Sequence, residues 1–128
     1  MRAIFPQGSE ASATALKLSP GVLSNGHIFV TGMTGSLADG TMPDDPARQF
    51  RSAFDKIRAV LQAADTDTHA IVEMTSYHVG IQDHFDLFNE VRCVYVSDPF
   101  PAWTAVEVAA LRRPGALAEV RVVAAVQA

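Results

Sequence analysis

Two glutamates are the residues in this chain most able to do chemistry. Glu107 and Glu119 each lie in an apolar, strand-like segment, where a carboxylate needs a hydrogen bond or a charge partner. If the two segments pair, both acids approach one cleft, with Arg121 at hand as a counter-charge. A structural ion pair and a ligand-binding carboxylate fit this pattern equally well. Four histidines, His27, His69, His78 and His84, bring imidazoles, but no HxH or HExxH spacing occurs and the one cysteine, Cys93, is remote in sequence. No metal site is expected, and His78, late in a strand, is read as a packed, hydrogen-bonded histidine. Cys93 lies inside a helix with no histidine placed to activate it, so a buried structural thiol is expected. Gly32 and Gly35 follow a strand in a spacing that matches neither phosphate-binding signature. They read as turn glycines that can also line a small cleft. Trp103, the single tryptophan, follows Phe100-Pro101-Ala102 and suits a pocket wall, an interface or the core.

The elements that must position these groups are legible from periodicity. Residues 1 to 5 read as a short strand, and the Ser-, Ala- and Gly-rich stretch from Pro6 to about Ala15 as a loop. Val22 to Val30 reads as a hairpin about Asn25-Gly26, because both turn residues tolerate positive φ. Asp45 and Pro46 suit the cap and first position of a helix. Its stripe of Phe50, Ala53, Phe54, Ile57, Val60, Leu61 and Ala64 recurs every three or four residues. Ala70 to Val79 favours extended backbone. A second helix is expected from about His84 to Val94, stopped by Asp98-Pro99-Phe100-Pro101. Trp103 to Ala110 and Ala118 to Val126 are strand-like, with Arg112-Arg113-Pro114-Gly115 turning the chain between them. The order β, β-β, α, β, α, β-β predicts an α+β fold: a mixed sheet with two helices on one face and an apolar second face that needs its own cover.

Size and composition agree. The chain has 128 residues, 48% of them hydrophobic and 19% charged, which suits a single domain spanning 1–128. Ten Lys and Arg against fourteen Asp and Glu give a formal charge of −4, so the whole molecule has no electrostatic reason to seek nucleic acid. One cysteine excludes an internal disulfide. No apolar run approaches the ~20 residues that span a bilayer. No membrane partner and a cytoplasmic location are expected. A mean hydropathy of +0.14 in so small a chain suggests surface that a second copy covers.

Taken together, the motifs resemble the RidA/YjgF family, some of whose members are named L-PSP endoribonucleases. Leu18 to Gly32 is similar to the family's opening segment, and the helix near Gln49 to its first helix. His84-Phe85-Asp86-Leu87-Phe88-Asn89-Glu90-Val91 resembles its Asp-Phe-x-x-x-Asn-Glu segment. Pro101-Ala102-Trp103-Thr104-Ala105-Val106-Glu107-Val108-Ala109-Ala110-Leu111 resembles its Pro-Ala-Arg-x-x-Val-Glu-Val-x-x-Leu signature, and Ala118-Glu119-Val120 its acidic final strand. The resemblance implies a chorismate-mutase-like sheet covered by two helices and a homotrimer with clefts between subunits. It also implies hydrolysis of enamines and imines such as 2-aminoacrylate, a small-molecule metabolite as partner, and no cofactor. The family glutamate that orients the attacking water falls on Glu119, the expected catalytic residue. The substrate-binding positions fall on Leu18, Gly32, Trp103 and Glu107. Trp103 stands where the family has its carboxylate-binding arginine, and Leu18 where it has a tyrosine. An indole cannot make a bidentate contact to a carboxylate, and losing such a contact costs about 1.5–3 kcal/mol. The standard 2-aminoacrylate reaction is therefore in question, with Arg2, Arg92 and Arg121 as candidate replacement charges. Two functions remain: a hydrolase or deaminase acting on an enamine, imine or related metabolite, and a non-catalytic trimer binding a metabolite or protein. RNA cleavage is disfavoured by the acidic charge and the lack of an aromatic-basic groove.

Overall fold

The computed structural model describes residues 1–126. Its order is β1 (Arg2–Ile4), α1 (Glu10–Leu16), β2 (Gly21–Ser24), β3 (His27–Met33), α2 (Pro46–Ala63), β4 (Ile71–His78), α3 (Ile81–Tyr95), β5 (Ala102–Glu107) and β6 (Ala118–Ala125). A 3-10 turn at Thr68–Ala70 leads into β4. Within α2 the Asp45 carboxylate accepts a hydrogen bond from the Arg48 backbone N–H at 3.0 Å, and Pro46 opens the helix. The stripe Phe50, Ala53, Phe54, Ile57, Val60 and Leu61 is buried, as its spacing requires.

The six strands form one sheet in the order β1-β2-β3-β6-β4-β5. Every neighbouring pair is antiparallel except β4–β5, which is parallel and joined by α3. A parallel pair needs such a crossover. The β2–β3 hairpin turns at Asn25 and Gly26, whose φ angles are 50° and 77°. Side chains alternate across the pleat. Ile28, Val30, Met74, Ser76, His78, Val120, Val122 and Ala124 are buried on one face. Phe54 and Phe88, from α2 and α3, belong to the same core. The other face leaves Phe29 and Val106 exposed at 42% and 38%. No helix among the described residues is long and apolar enough to cross a membrane.

Several expectations are corrected. The sheet was expected to carry two helices, and the described residues contain three α-helices. Glu10–Leu16, read as part of a loop, forms α1. Alanine is the best helix former, Glu10 complements the positive helix end, and Lys17 closes the helix in the left-handed conformation at φ 55°. Seven residues with only Ala13 buried leave no apolar stripe to read. The structure holds one chain, and the expected homotrimer is not seen in it. Helix α3 begins at Ile81 rather than His84, since Gly80 turns the chain at φ 69° and Glu107 Oε1 accepts from the Ile81 N–H at 3.0 Å. Strands β5 and β6 do not pair, because β4 lies between them. Cys93 is exposed, on the water side of α3.

Candidate functional site

The register of β3 against β6 shifts between Val30 and Met33. A bulge of this kind interrupts the ladder and bends the strand. A pocket of about 430 Å³ opens beside it, lined by Gly32 and Met33 of β3, Glu119 of β6, Leu16 of α1, Leu18 and Lys56 among others. That volume is in the range of small-molecule sites, roughly 300–1,000 Å³. Glycine at position 32 leaves room for the Glu119 side chain. A Cβ built there would stand 2.5 Å from Glu119 Oε2, so the carboxylate lies across the space a side chain would fill. Among the described residues no Lys or Arg nitrogen pairs with Glu119 within 4.0 Å. The acid therefore sits half-buried at the bulge, in a pocket with an apolar wall of Leu16, Leu18 and Pro20.

Cations share the pocket. Lys56 of α2 enters it together with Arg112 and Arg113 from the segment before β6. Lys56 Nζ donates to Ser36 Oγ at 3.1 Å. Burial, aided by repulsion from Arg113, pushes the Lys56 ammonium down to about 8. The segment that carries the arginines is tied to α2 by one amide. Gln49, 3% exposed, donates from Nε2 to the carbonyls of Pro43 and Gly115, each at 2.9 Å, and accepts the Leu117 N–H at 3.0 Å.

Trp103 belongs to a different region. It is opposite Met74 in β5–β4 pairing, and Met74 is opposite Val122, whereas Glu119 is opposite Tyr77. Since faces alternate, Trp103 points to the helix-covered side and Glu119 to the other. The Trp103 ring stacks on Phe85 at 5.4 Å and 2°, with the Arg92 guanidinium 3.9 Å from its centroid. Its Nε1–H donates to Ser76 Oγ at 2.9 Å. An indole N–H only donates, so the arrangement that satisfies every atom runs onward. Ser76 Oγ–H donates to His78 Nε2 at 2.7 Å, and His78 Nδ1–H donates to His84 Nε2 at 3.1 Å. Burial, aided by the charge of His84, holds His78 down to about 4, and burial lowers His84 as well, against an upward pull from Asp83.

Within one chain, then, Leu18, Gly32 and Glu119 are brought together, while Trp103 and Glu107 lie outside the pocket. Glu107 caps α3, and Arg121 comes within 4.0 Å of Glu73. Of the candidate replacement charges, Arg2, Arg92 and Arg121 do not line the pocket. Sequence reading missed Lys56, Ser36 and Gln49, and took Arg112-Arg113 for a turn alone. One signal existed: Lys56 lies three residues after Ala53 and four before Val60, at the margin of the buried stripe. Among the described residues no group of three or more His, Cys, Asp or Glu gathers to hold a metal ion.

A six-stranded sheet with α2 and α3 packed on one face and a carboxylate at a bulge fits the family already suggested by the motifs. The profile of the family Endoribonuclease L-PSP matches residues 8–126, and the chain belongs to this family, the RidA/YjgF group. The RutC family protein YjgH of Escherichia coli is 35% identical over 107 residues, covering 83% of this chain and 82% of that protein. A solved structure of a protein named YjgH superposes with a TM-score of 0.88 at 33% identity, over 99% of this chain and 97% of that one. The 2-iminobutanoate/2-iminopropanoate deaminase of Bos taurus is 32% identical over 109 residues, covering 84% of this chain and 79% of that protein.

Proposed function

We propose that this protein is a small-molecule hydrolase of the imine deaminase type, with Glu119 as the base that handles water. One observation carries the reading: Glu119 and Gly32, far apart in sequence, meet at the bulge, and the missing side chain at position 32 leaves room for the carboxylate. The name of the bovine relative supplies the reaction class. A carboxylate beside a pocket can take a proton from water as the water oxygen attacks the carbon of a C=N bond. From a protonated imine this gives a neutral carbinolamine, which takes that proton back on nitrogen; the C–N bond then breaks to release ammonia, and the hydroxyl proton passes to the Glu119 carboxylate as the C=O bond forms. Imine and water thus yield a carbonyl compound and ammonia with no change in oxidation state. An enamine enters the same route after tautomerising to the imine.

The apolar wall of Leu16, Leu18 and Pro20 suits the carbon skeleton of a small substrate, and the hydroxyl missing at Leu18 makes that wall more apolar than a tyrosine would. Trp103 and Glu107 stay as proposed substrate-binding residues, though neither touches the pocket within one chain. The test is to generate a short-chain imine in the presence of the purified protein and to measure ammonia and carbonyl product together. Release of both above the buffer rate is expected, and its absence from well-folded protein would overturn the proposal. Ligand-dependent stabilisation without turnover would instead support the non-catalytic binding module.

A further inference from the structure

We infer that Lys56 is a second reactive group in this pocket: an amine that takes a small aldehyde or ketone as a Schiff base. The inference goes beyond the proposed hydrolysis and does not depend on it, since it needs the pocket and the amine but no turnover at Glu119. The chain has eight arginines and two lysines, Lys17 and Lys56. An arginine keeps its proton and cannot attack a carbonyl carbon, whereas a lysine that loses its proton can. Lys17 is exposed at the end of α1. Lys56 is half-buried and lines the pocket together with Glu119 and the apolar wall of Leu16, Leu18 and Pro20. No carboxylate among the described residues stands within 4.0 Å to hold the proton on its nitrogen.

Burial strips water from the ammonium and Arg113 repels it, which together push Lys56 down to about 8. Desolvation and a neighbouring cation are the two means by which proteins activate a lysine for covalent work. Roughly one Lys56 in ten is then a free amine at pH 7, against fewer than about one in a thousand for a lysine in water. Ser36, itself buried, fixes the nitrogen by accepting one N–H at 3.1 Å. A neutral amine held this way keeps its lone pair for a carbon in the pocket. That pair forms a C–N bond to the carbonyl carbon as the C=O π pair moves to oxygen, and one proton passes from nitrogen to that oxygen. The carbinolamine hydroxyl takes a further proton and leaves as water, while nitrogen gives up its last proton and closes the C=N bond. Amine and carbonyl compound thus give imine and water, with no change in oxidation state. Glu119, Arg112 and Arg113 are the charged groups that share the pocket with Lys56. The carboxylate can carry these protons, and Arg113 disfavours a charged nitrogen in the adduct as it does in the free side chain. The apolar wall suits a short alkyl chain on the carbonyl carbon.

Butanal is the probe. The full chain is equilibrated with butanal and treated with sodium borohydride, whose hydride reduces the C=N bond to a stable secondary amine. Peptide mapping by mass spectrometry then locates each butyl group and separates Lys56 from Lys17 and from the N-terminal amine. At pH 7 the label is expected on Lys56 at least about tenfold more often than on Lys17. Labelling of Lys56 should rise with pH and level off above about 8, where its proton is gone. In urea the preference over Lys17 should vanish, because the pocket that creates it is lost. Equal labelling of the two lysines in folded protein, no label on Lys56, or a preference that survives in urea overturns the inference. Imine hydrolysis is measured on separate samples without borohydride. Label on Lys56 without turnover defeats the proposed function and leaves the reactive amine standing, and turnover without label on Lys56 does the reverse.

Discussion

Two regions of this molecule hold polar side chains on a mostly apolar sheet, and they handle them in opposite ways. Around Trp103 the polar side chains are linked to one another: the indole gives to Ser76, Ser76 to His78, and His78 to His84, under a cover of Phe85 and Phe88. At the bulge, a lysine, two arginines and a glutamate line one open pocket, and none of the cations has an acidic partner among the described residues. A closed chain of satisfied donors holds a fold together. Unspent charges around a space are suited to something that enters it. Trp103 and Glu119, both singled out by the family resemblance, thus lie on opposite faces of the sheet in different surroundings.

The comparison can be broken at several points. The largest effect is expected at Glu119, where replacement by Gln should lower kcat/KM for imine hydrolysis by about 10²–10⁴-fold, the usual contribution of a positioned base. Thermal stability should hardly move, since the side chain is not tied into an ion pair. Gly32→Ala comes next. Its new Cβ would meet Glu119 Oε2 at 2.5 Å, so the carboxylate must swing away. A displacement of about 1 Å can cost on the order of 10²-fold in rate. Steady-state kinetics alongside circular dichroism checks both variants.

The closed region should answer in stability. His78 is fully buried and titrates near 4, against about 6.5 in an unfolded chain. Between those values the unfolded chain binds a proton that the folded chain refuses. The contribution of His78 to stability is therefore complete above about 6.5, falls as pH drops toward about 4, and levels off below. The loss should be about 3 kcal/mol, read as a shift of the urea midpoint. His78→Phe should flatten that slope, whatever it does to stability at neutral pH. Smallest is Trp103→Phe, which keeps an aromatic ring but removes the donor to Ser76 and should cost about 1 kcal/mol.

The same contrast marks how far the sequence could be read. Local signals came through: the Asp45-Pro46 start and apolar stripe of α2, the Asn25-Gly26 turn, and the alternation of Val120, Val122 and Ala124 each need only neighbours within a few residues. The motifs were enough to place the chain in its family. What escaped depends on contacts between distant segments. Nothing near Glu107 announces that it will meet the Ile81 N–H, and only the insertion of β4 between β5 and β6 keeps the two glutamates apart. Helix α1 was hidden for a different reason, being too short to show a period. The cations of the pocket were hidden because a lysine at a stripe margin and an Arg-Arg turn look like ordinary solvated charge until a third element folds over them.

Gln49 gives this arrangement a further property. By gripping Pro43, Gly115 and Leu117 it clamps the start of α2 to the start of β6. Lys56 stands seven residues along that helix, about 10 Å of rise away, and Glu119 two residues past the clamp along the strand. The span between these two groups is thereby surveyed from one fixed point, like two marks measured from the same peg. Arg112 and Arg113 lie on the slack side of that peg, exposed and upstream of Gly115. Drift at those two positions can retune which molecules are admitted while the working distance inside stays the same, so the pocket is built to vary at its doorway and to keep its interior.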